Sequence, residues 1–251
     1  MTIPFTHALV TGGSSGIGKA TALALAGEGV DVTICGRREA ELASVAALHP
    51  RIHAIAADVT DEASVAALYD TAQSARGPFG IVVANAGIAS SAPAHRTTLD
   101  EWQRIIDVNL TGAFLTVRPA LAGMAERKAG RIVFIASVAG LRGAAYVAPY
   151  VASKHGVVGL MRALAAELLK TGVTVNAVCP GYVETEMLEQ SVRRVMEKTG
   201  RSEEEARRGF AETNPNHRLI TPEEVAAAVM WLASDAAISV TGQPIAISGG
   251  A

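Results

Sequence analysis

Short apolar runs rich in β-branched residues alternate along the chain with longer segments whose apolar residues recur at helical spacing. The first half contains four such pairs: His7–Val10 with Lys19–Ala26, Asp31–Ile34 with Glu39–Leu48, Ile52–Ala56 with Ala63–Ala75, and Ile81–Ala84 with Thr98–Arg127. The second half continues with Arg131–Ile135, a helix that carries Tyr150, a strand at Val173–Val178, a helix at Pro222–Ala233 and a last strand at Pro244–Ile247. Strands that alternate with helices are typical of βαβ units, so the pattern predicts an α/β fold with a parallel sheet.

Polar residues at three helix starts have the spacing of N-terminal capping boxes. They are T-L-D-E at Thr98, S-E-E-E at Ser202 and T-P-E-E at Thr221, where Pro222 takes the first helical position. A charged insertion that we expect to be helical lies between Pro180 and Thr221. No repeat, low-complexity tract or linker interrupts the 251 residues, of which 49% are hydrophobic, so we predict one domain.

Composition excludes several classes of function. The net charge is −2, which gives no electrostatic footprint for nucleic acid. The longest uncharged run, Gly77–Ala94, contains prolines and glycines and is unsuited to crossing a membrane. The amino terminus has no features of an export signal, so we expect a cytoplasmic protein. Cys35 and Cys179 end predicted strands, and we interpret them as buried apolar thiols without a disulfide, metal or nucleophile role.

A glycine-rich turn follows the first strand and opens the first helix. It reads T-G-G-S-S-G-I-G from Thr11 to Gly18. Such a turn lets backbone N–H groups approach a pyrophosphate, to which the following helix presents its positive end. Gly12, Gly16 and Gly18 suit these roles, with the spacing T-G-x-x-x-G-x-G. A turn without a ligand is the alternative, and the position directly after the first strand favours the phosphate site.

Tyr150 and Lys154 are the strongest indication of catalysis. The sequence Y-V-A-S-K places them four residues apart, on one face of a predicted helix. Thirteen residues upstream, Ser137 follows the strand-like run Gly130–Ala136. A hydroxyl at the carboxyl end of a strand lies where open α/β sheets bind ligands. The three side chains therefore predict an acid–base site, although separately they are also typical of a helix edge, a solvated lysine and a strand-end hydroxyl.

Together these motifs resemble the short-chain dehydrogenase/reductase family over nearly the whole chain. The resemblance implies a doubly wound parallel sheet of seven strands in the order 3-2-1-4-5-6-7, with a substrate lid at about 182–220. It also implies hydride transfer between a nicotinamide cofactor and a ketone or secondary alcohol, with Tyr150 as acid and base. Ser137 would orient the carbonyl oxygen, and Lys154 would bind the nicotinamide ribose. Asn109, in D-V-N-L-T-G, would interrupt a helix and hold a water in a proton relay to the lysine.

The acid–base role sets an energetic requirement. Lowering the pKa of a phenol from about 10 to near 7 takes about 4 kcal/mol. A single nearby cation lowers such a pKa by about 1–3. Lys154 together with an oxidised, positively charged nicotinamide ring therefore just meets the requirement.

The family also indicates which residues contact the cofactor. Asp58 in A-A-D-V-T would meet adenine, although it is also typical of a turn residue. A-N-A-G at Ala84–Gly87 would lie along the cofactor, and P-G-Y-V-E-T at Pro180–Thr185 would meet the nicotinamide and its phosphate, with a plain Pro-Gly turn as the alternative. The full expected set is Gly12, Ser14, Ser15, Gly16, Ile17, Gly18, Arg37, Asp58, Val59, Asn85, Ala86, Gly87, Tyr150, Lys154, Pro180, Gly181, Val183 and Thr185.

The end of the second strand bears on the choice between NAD(H) and NADP(H). NAD-binding sites place a carboxylate there, which repels a 2′-phosphate, whereas this chain has Gly36 and then Arg37. Arg37 can form charge-assisted bonds to a phosphate, so we favour NADP(H) over NAD(H). Ser15 argues the other way, because many NADPH-binding relatives have a basic residue there. Arg38 is interpreted as a solvated residue at a helix start.

The segment Gly130–Glu186 resembles polyketide ketoreductases and 3-oxoacyl thioester reductases most, which favours a β-ketoacyl thioester substrate. An apolar loop at Ala139–Val147 agrees with an acyl group, and a steroid, a polyketide and a small cyclic alcohol are alternatives. Five lid arginines suit a coenzyme A phosphate or an acidic carrier protein, or are solvated helix faces: Arg193, Arg194, Arg201, Arg207 and Arg208. A catalytically silent nucleotide sensor or scaffold is the rival from another class, against which the intact Ser137–Tyr150–Lys154 set argues.

His155–Leu169 is apolar around most of its circumference, and Thr98–Arg127 shows a similar excess. Such a helix needs two buried faces, one on the sheet and one in a subunit interface. Because relatives commonly pair these two helices, we expect a homotetramer.

Overall fold

The computed structural model describes residues 2–250 and contains one parallel sheet of seven strands. The strands are β1 (His7–Thr11), β2 (Asp31–Gly36), β3 (Ile52–Ala56), β4 (Ile81–Ala84), β5 (Gly130–Ile135), β6 (Val173–Pro180) and β7 (Pro244–Ile247). Their order is β3-β2-β1-β4-β5-β6-β7, and every pair is parallel. The predicted fold class, strand order and central elements are confirmed.

Nine α-helices connect the strands and cover the sheet within the described residues. They are α1 (Gly16–Gly27), α2 (Glu39–Ala46), α3 (Glu62–Arg76), α4 (Leu99–Ile106), α5 (Gly112–Arg127), α6 (Ala148–Glu167), α7 (Glu186–Thr199), α8 (Glu203–Thr213) and α9 (Pro222–Ala233). α7 and α8 form the charged insertion expected after β6, and they share a small core of Leu188, Val192 and Ala206.

The sheet is buried on both faces because helices lie on either side. Alternation along β1 shows this arrangement: Leu9 enters one apolar cluster, while Ala8 and Val10 enter the other. The first cluster includes residues of α3, α5 and α6, and the second includes residues of α1, α2 and α9. Strands buried on both faces read as continuous apolar runs, which is why the sequence pattern located them.

The predicted caps are formed. The Thr98 hydroxyl accepts a hydrogen bond from the Glu101 N–H, and complete capping boxes join Ser202 to Glu205 and Thr221 to Glu224. Such caps satisfy N–H groups that have no partner within the helix. Cys35 and Cys179 are buried free thiols, as expected. Within residues 2–250, no three His, Cys, Asp or Glu side chains are grouped to hold a metal ion.

The segment predicted to be helical, Thr98–Arg127, is interrupted near Asn109, as expected. A π-helical turn at Asp107–Thr111 separates α4 from α5. The whole stretch, Leu99–Arg127, has the length and mean hydropathy of a membrane span, but 44% of its most apolar window is buried in the protein. Val117 and Met124 of α5 belong to the core beneath β4 and β5. The helix is therefore apolar because it packs on the sheet.

Candidate active site

The carboxyl ends of the strands meet at one edge of the sheet, and the strand order reverses between β1 and β4. A crevice at such a reversal is the usual ligand site of this architecture. Thr11, the last residue of β1, accepts hydrogen bonds at its Oγ1 from the N–H groups of Asn85 and Ala86, both at 3.0 Å. Asn85 returns a bond from Nδ2 to the Thr11 carbonyl at 2.8 Å. These bonds fix the glycine-rich turn against the A-N-A-G segment.

Glycine is required at three positions of the turn. Gly12 and Gly16 have φ of +65° and +51°, in the left-handed region that side chains avoid. A Cβ at Gly16 would lie 2.9 Å from Thr185 Cγ2, and a Cβ at Gly18 would lie 2.3 Å from the Gly12 carbonyl oxygen. The turn thus lies close to the Pro180–Thr185 segment, and the expected cofactor residues Ser14, Ser15 and Ile17 lie on this turn and the start of α1.

The start of α1 has the properties of a phosphate site. Its cap residue, Ser15, makes no side-chain cap bond, and the first turn contains no acidic residue. Thr98, Ser202 and Thr221, by contrast, cap their helices with hydroxyl groups. The N–H groups at the start of α1 are therefore left for a ligand, and the helix end carries partial positive charge. These features fit the pyrophosphate of a dinucleotide.

Ser137, Tyr150 and Lys154 come together beside this crevice. Ser137 follows β5, and its buried hydroxyl accepts from the Ala139 N–H at 3.1 Å and lies 3.4 Å from the Pro180 carbonyl. Tyr150 lies in the first turn of α6, close enough to the Ser137 side chain for that hydroxyl to lower its pKa. Lys154 Nζ lies 5.7 Å from the centroid of the Tyr150 ring and donates to the Ile135 carbonyl at 2.8 Å. The arrangement joins a phenol, a hydroxyl and a buried ammonium.

Burial dominates the protonation of this group. It raises the pKa of Tyr150, although the Ser137 hydroxyl opposes the rise. It also lowers the pKa of Lys154 to about 8. Removal from water penalises the charged form of each group, so it acts in opposite directions on an acid and a base. In the chain alone, therefore, burial outweighs the other influences and the phenol stays protonated at neutral pH.

Gly87 brings the A-N-A-G segment close to the lysine. A Cβ there would lie 3.5 Å from Lys154 Nζ and 3.3 Å from Asn109 Oδ1. The backbone of Asn85, Ala86 and Gly87 thus forms a strip without large side chains between the glycine-rich turn and the lysine. This strip suits a cofactor that extends from the turn to Lys154.

Asn109 lies in the π-helical turn, where the sequence placed an interrupted helix. Its Oδ1 accepts from the Ile88 N–H at 2.8 Å, and its Nδ2 donates to the Ile88 carbonyl at 2.9 Å and to Ser153 Oγ at 3.0 Å. Ser153 in turn donates to the Tyr150 carbonyl at 2.8 Å. The side chain of Asn109 is fully used in joining the strip after β4 to α6. The expected water relay to Lys154 stays a prediction.

Sequence reasoning missed Ser153 and Thr11 as parts of the site. Ser153 is fully buried and connects Asn109 to the backbone of the tyrosine turn. Thr11 holds the glycine-rich turn in place. Both lie inside motifs whose other residues, Tyr150 and Gly12, drew the functional interpretation. The available signal was a small polar residue within each motif.

Asp58 lies in a turn, and its expected contact with adenine stays a prediction. Its Oδ1 accepts from the Thr60 N–H at 2.9 Å and from the Thr60 hydroxyl at 2.8 Å, and these bonds lower the pKa of Asp58. Its Oδ2 lies 4.0 Å from Arg37 Nη1. Val59 packs against Gly112 at the start of α5. The turn keeps Asp58 and Arg37 side by side at the ends of β3 and β2.

Arg38 is exposed at the start of α2, as expected from the sequence, and it also bonds to the glycine-rich turn. Its Nη2 donates to Ser14 Oγ at 2.9 Å and to Ser15 Oγ at 3.1 Å. Its Nη1 lies 2.9 Å from Glu186 Oε2, on the first residue of α7. These bonds form because the loop after β2 runs beside the glycine-rich turn, a proximity that sequence spacing does not reveal.

The Pro180–Thr185 segment is held by a residue of the insertion that sequence reasoning also missed. Asn214, which is buried, accepts from the Tyr182 N–H at 3.0 Å and donates to the Tyr182 carbonyl at 3.1 Å. Gly181 packs directly on the Asn214 side chain, and Val183 forms a β-bridge with Ile220. These contacts attach the base of the insertion to the end of β6.

The chain is similar in sequence and structure to several known proteins. The short chain dehydrogenase family model matches residues 6–195. A putative ketoacyl reductase of the monensin polyketide synthase from Streptomyces virginiae is 43% identical, over 97% of this chain and 95% of that protein. D-beta-hydroxybutyrate dehydrogenase from Cupriavidus necator is 39% identical, over 97% and 96%. The crystal structure of a variant actinorhodin polyketide ketoreductase with NADPH superposes with a TM-score of 0.94 at 38% identity, covering 99% of this chain and 98% of that chain.

The hydrogen-bond network around Asn109 gives the first testable prediction. Replacing Ser153 by Ala removes one acceptor from Asn109 Nδ2 at a fully buried position, so we expect unfolding to become easier by about 1–3 kcal/mol. Chemical denaturation with far-UV circular dichroism measures this loss. Ser44→Ala, which removes an exposed hydroxyl on α2 that bonds only to Ala40, is the control. Equal stability of the two variants would contradict the role given to the network.

Proposed function

The chain belongs to the short-chain dehydrogenase family, and on that premise we propose that it is an NADP(H)-dependent reductase of 3-oxoacyl thioesters. The family and the names of the relatives show that the protein is an oxidoreductase that interconverts a ketone and an alcohol with a nicotinamide cofactor. The proposal rests on the trio of buried Ser137, half-buried Tyr150 and buried Lys154 beside a turn suited to phosphate.

Each member of the trio has a distinct task. The Ser137 hydroxyl donates to the carbonyl oxygen of the substrate and polarises it. The Tyr150 phenol, kept protonated by burial, gives its proton to that oxygen as negative charge develops. Lys154 stays largely protonated at neutral pH, because its pKa is about 8, and its charge stabilises the phenolate left behind. A bound nicotinamide cofactor supplies the hydride to the carbonyl carbon. A phenol protonated at neutral pH suits reduction rather than oxidation.

NADP(H) is the preferred cofactor in this proposal. Gly36 leaves open space where an acidic side chain would stand, since a Cβ there would meet only Leu42 Cδ2, at 4.0 Å. The Arg37 side chain is 69% exposed and faces the same region. A largely exposed guanidinium suits a 2′-phosphate, because the carboxyl end of β2 has Gly36 in place of a repelling carboxylate. One solved relative contains NADPH, which supports this choice.

Three observations support an acyl thioester. Two matched relatives are named for a ketoacyl group and for a beta-hydroxy acid, which share an oxygen function at the same carbon, whereas another, 41% identical, is named for a cyclic alcohol, cis-4-hydroxycyclohexanecarboxylate. Aromatic and apolar residues near the trio are exposed, among them Leu141, Tyr146 and Tyr182. The ring of Tyr182 packs at a tilt against the ring of Phe210 in α8, with ring centroids 5.0 Å apart. We propose that residues of about 182–220 form a lid whose apolar side covers an acyl chain.

The lid arginines differ in whether they form ion pairs within the protein. Arg207 pairs with Glu189 and Glu203 inside the lid, as the alternative interpretation held. Arg193 is exposed and Arg194 half-buried, and neither forms an ion pair within residues 2–250. We therefore propose Arg193 and Arg194 as the contacts for the phosphates of coenzyme A or for an acidic carrier protein.

A homotetramer in the cytoplasm completes the proposal. The outer face of α6 presents small side chains, Gly159, Ala163 and Ala166, which let another helix approach closely. Phe114 on α5 and Leu169 after α6 are exposed at 37% and 67%. These faces are too apolar for solvent and support pairing of the two helices between subunits.

Removal of the phenol tests the assignment of the acid. Tyr150→Phe takes away the transferable proton and little volume, so we expect the rate to fall by about 10²–10⁴ while NADPH affinity stays nearly unchanged. Steady-state kinetics with a ketone panel, together with cofactor titration by fluorescence, measure both quantities. A variant that retains more than about a tenth of the wild-type kcat would exclude Tyr150 as the proton donor.

Cofactor preference is tested at Arg37. In Arg37→Ala we expect KM for NADPH to rise much more than KM for NADH, because only the former carries the 2′-phosphate. Initial rates at low cofactor concentration give the comparison, with Arg51→Ala, an exposed arginine paired to Asp31, as the control. Faster turnover of wild-type protein with NADH would refute the preference.

Substrate class is tested with acetoacetyl-coenzyme A against a matched simple ketone. We expect a higher kcat/KM for the thioester, because binding energy from its remote part assists positioning at the reacting carbon. Neutralising Arg193 and Arg194 together is expected to weaken the thioester reaction and spare the ketone, and added salt should have the same effect. Equal efficiency on both substrates, or activity confined to a cyclic alcohol, would remove the thioester while leaving the reductase.

A further inference from the structure

A carboxylate of the lid lies against the glycine-rich turn. Glu186, the first residue of α7, accepts a hydrogen bond from Ser15 Oγ at 3.2 Å. It also forms an ion pair with Arg38, whose Nη1 lies 2.9 Å from Glu186 Oε2. The same guanidinium reaches the hydroxyls of Ser14 and Ser15 through Nη2, at 2.9 and 3.1 Å. Three separate parts of the chain thus meet on the turn: its own serines, the loop after β2 and the start of the lid.

The donors around the Glu186 carboxylate are of the kind that bind phosphate. A guanidinium and a hydroxyl hold an oxyanion in the same way whether it belongs to a carboxylate or to a phosphate. Arg38 therefore supplies positive charge at Ser15, the position where the turn itself has no basic residue. The second carboxylate near Arg38, Glu41, is more distant, at 3.8 Å from Nη1. Glu186 is the closer acidic partner, and it alone of the two also contacts Ser15.

We propose that Arg38 and Ser15 bind a phosphate of the dinucleotide and that the Glu186 carboxylate occupies their donors until the cofactor displaces it. This inference rests on the proposed function, because the phosphate belongs to the nicotinamide cofactor. Glu186 acts as an internal competitor that lowers cofactor affinity, and Arg38 is a second phosphate-recognition residue beside Arg37.

The exposure of the pair allows such an exchange. The side chains of Arg38 and Glu186 are 44% and 55% exposed, so water and salt screen their attraction. A phosphate in place of the carboxylate keeps the charge-assisted bonds of Arg38 and adds the attraction of the uncapped start of α1. Neutralising Glu186 frees the donors of Arg38 before the cofactor arrives, which is why the change tightens binding.

Isothermal titration of NADPH and NADH into wild-type protein and the Glu186→Gln variant tests the competition. We expect NADPH to bind about two- to fivefold more tightly to Glu186→Gln, the ratio that corresponds to loss of an exposed ion pair. Arg38→Ala should weaken binding, and adding Glu186→Gln in that background should have no further effect, because the competed group is gone. Glu197→Gln removes the same charge from an exposed position farther along α7, where residues 2–250 provide no ion-pair partner, and should leave affinity unchanged.

The two cofactors distinguish which phosphate is bound. A gain for NADPH alone assigns the 2′-phosphate to Arg38 and Ser15, and an equal gain for both cofactors assigns the pyrophosphate. Unchanged or weaker binding of both cofactors by Glu186→Gln overturns the competition, as does a gain that persists in the Arg38→Ala background. Failure of wild-type protein to bind either cofactor refutes the proposed function instead, so the two failures are separable.

Discussion

The paired hydrogen bonds between Thr11 and Asn85 are the constraint on which the rest of the site depends. They join the ends of β1 and β4, the two strands between which the strand order reverses. Because the chain leaves these strands toward opposite sides, a crevice opens there. The glycine-rich turn forms one wall and the A-N-A-G strip the other, and Gly18 lets the first helix approach closely enough to point its amino end into the crevice.

A second set of bonds transmits this order to the catalytic helix. Asn109 ties the strip at Ile88 to Ser153, and Ser153 ties to the carbonyl of Tyr150. The cost is a break in the regular helix, since the π-helical turn removes part of the α-helical ladder. The irregular backbone places the amide of Asn109 where it bonds to Ile88 and Ser153. A structural irregularity thus positions the proton donor.

Burial sets the chemistry that the trio can perform. The same apolar surroundings that raise the pKa of Tyr150 also lower the pKa of Lys154, so that the phenol is neutral and the amine only modestly basic. A protonated phenol beside a cation is prepared to lose its proton to a developing alkoxide, at which moment the ammonium gains a partner. The electrostatic arrangement therefore suits the transfer of a proton from the phenol to an alkoxide oxygen.

The sequence by itself determined the elements, the sheet and the residue types of the site. Apolar runs such as Ile81–Ala84 and the boxes at Ser202 and Thr221 are local signals, each encoded within a few residues, and the trio of Ser137, Tyr150 and Lys154 was recognisable from motif spacing. The family resemblance supplied the strand order, which periodicity does not contain. Only the tertiary structure decided which side chains meet across long separations. Arg38, Ser15 and Glu186 converge on one turn, and Ser153 bonds to Asn109 from 44 residues away. Contacts of this kind depend on how the strands order and how the loops fold back over their ends, and no local pattern of residues records that geometry.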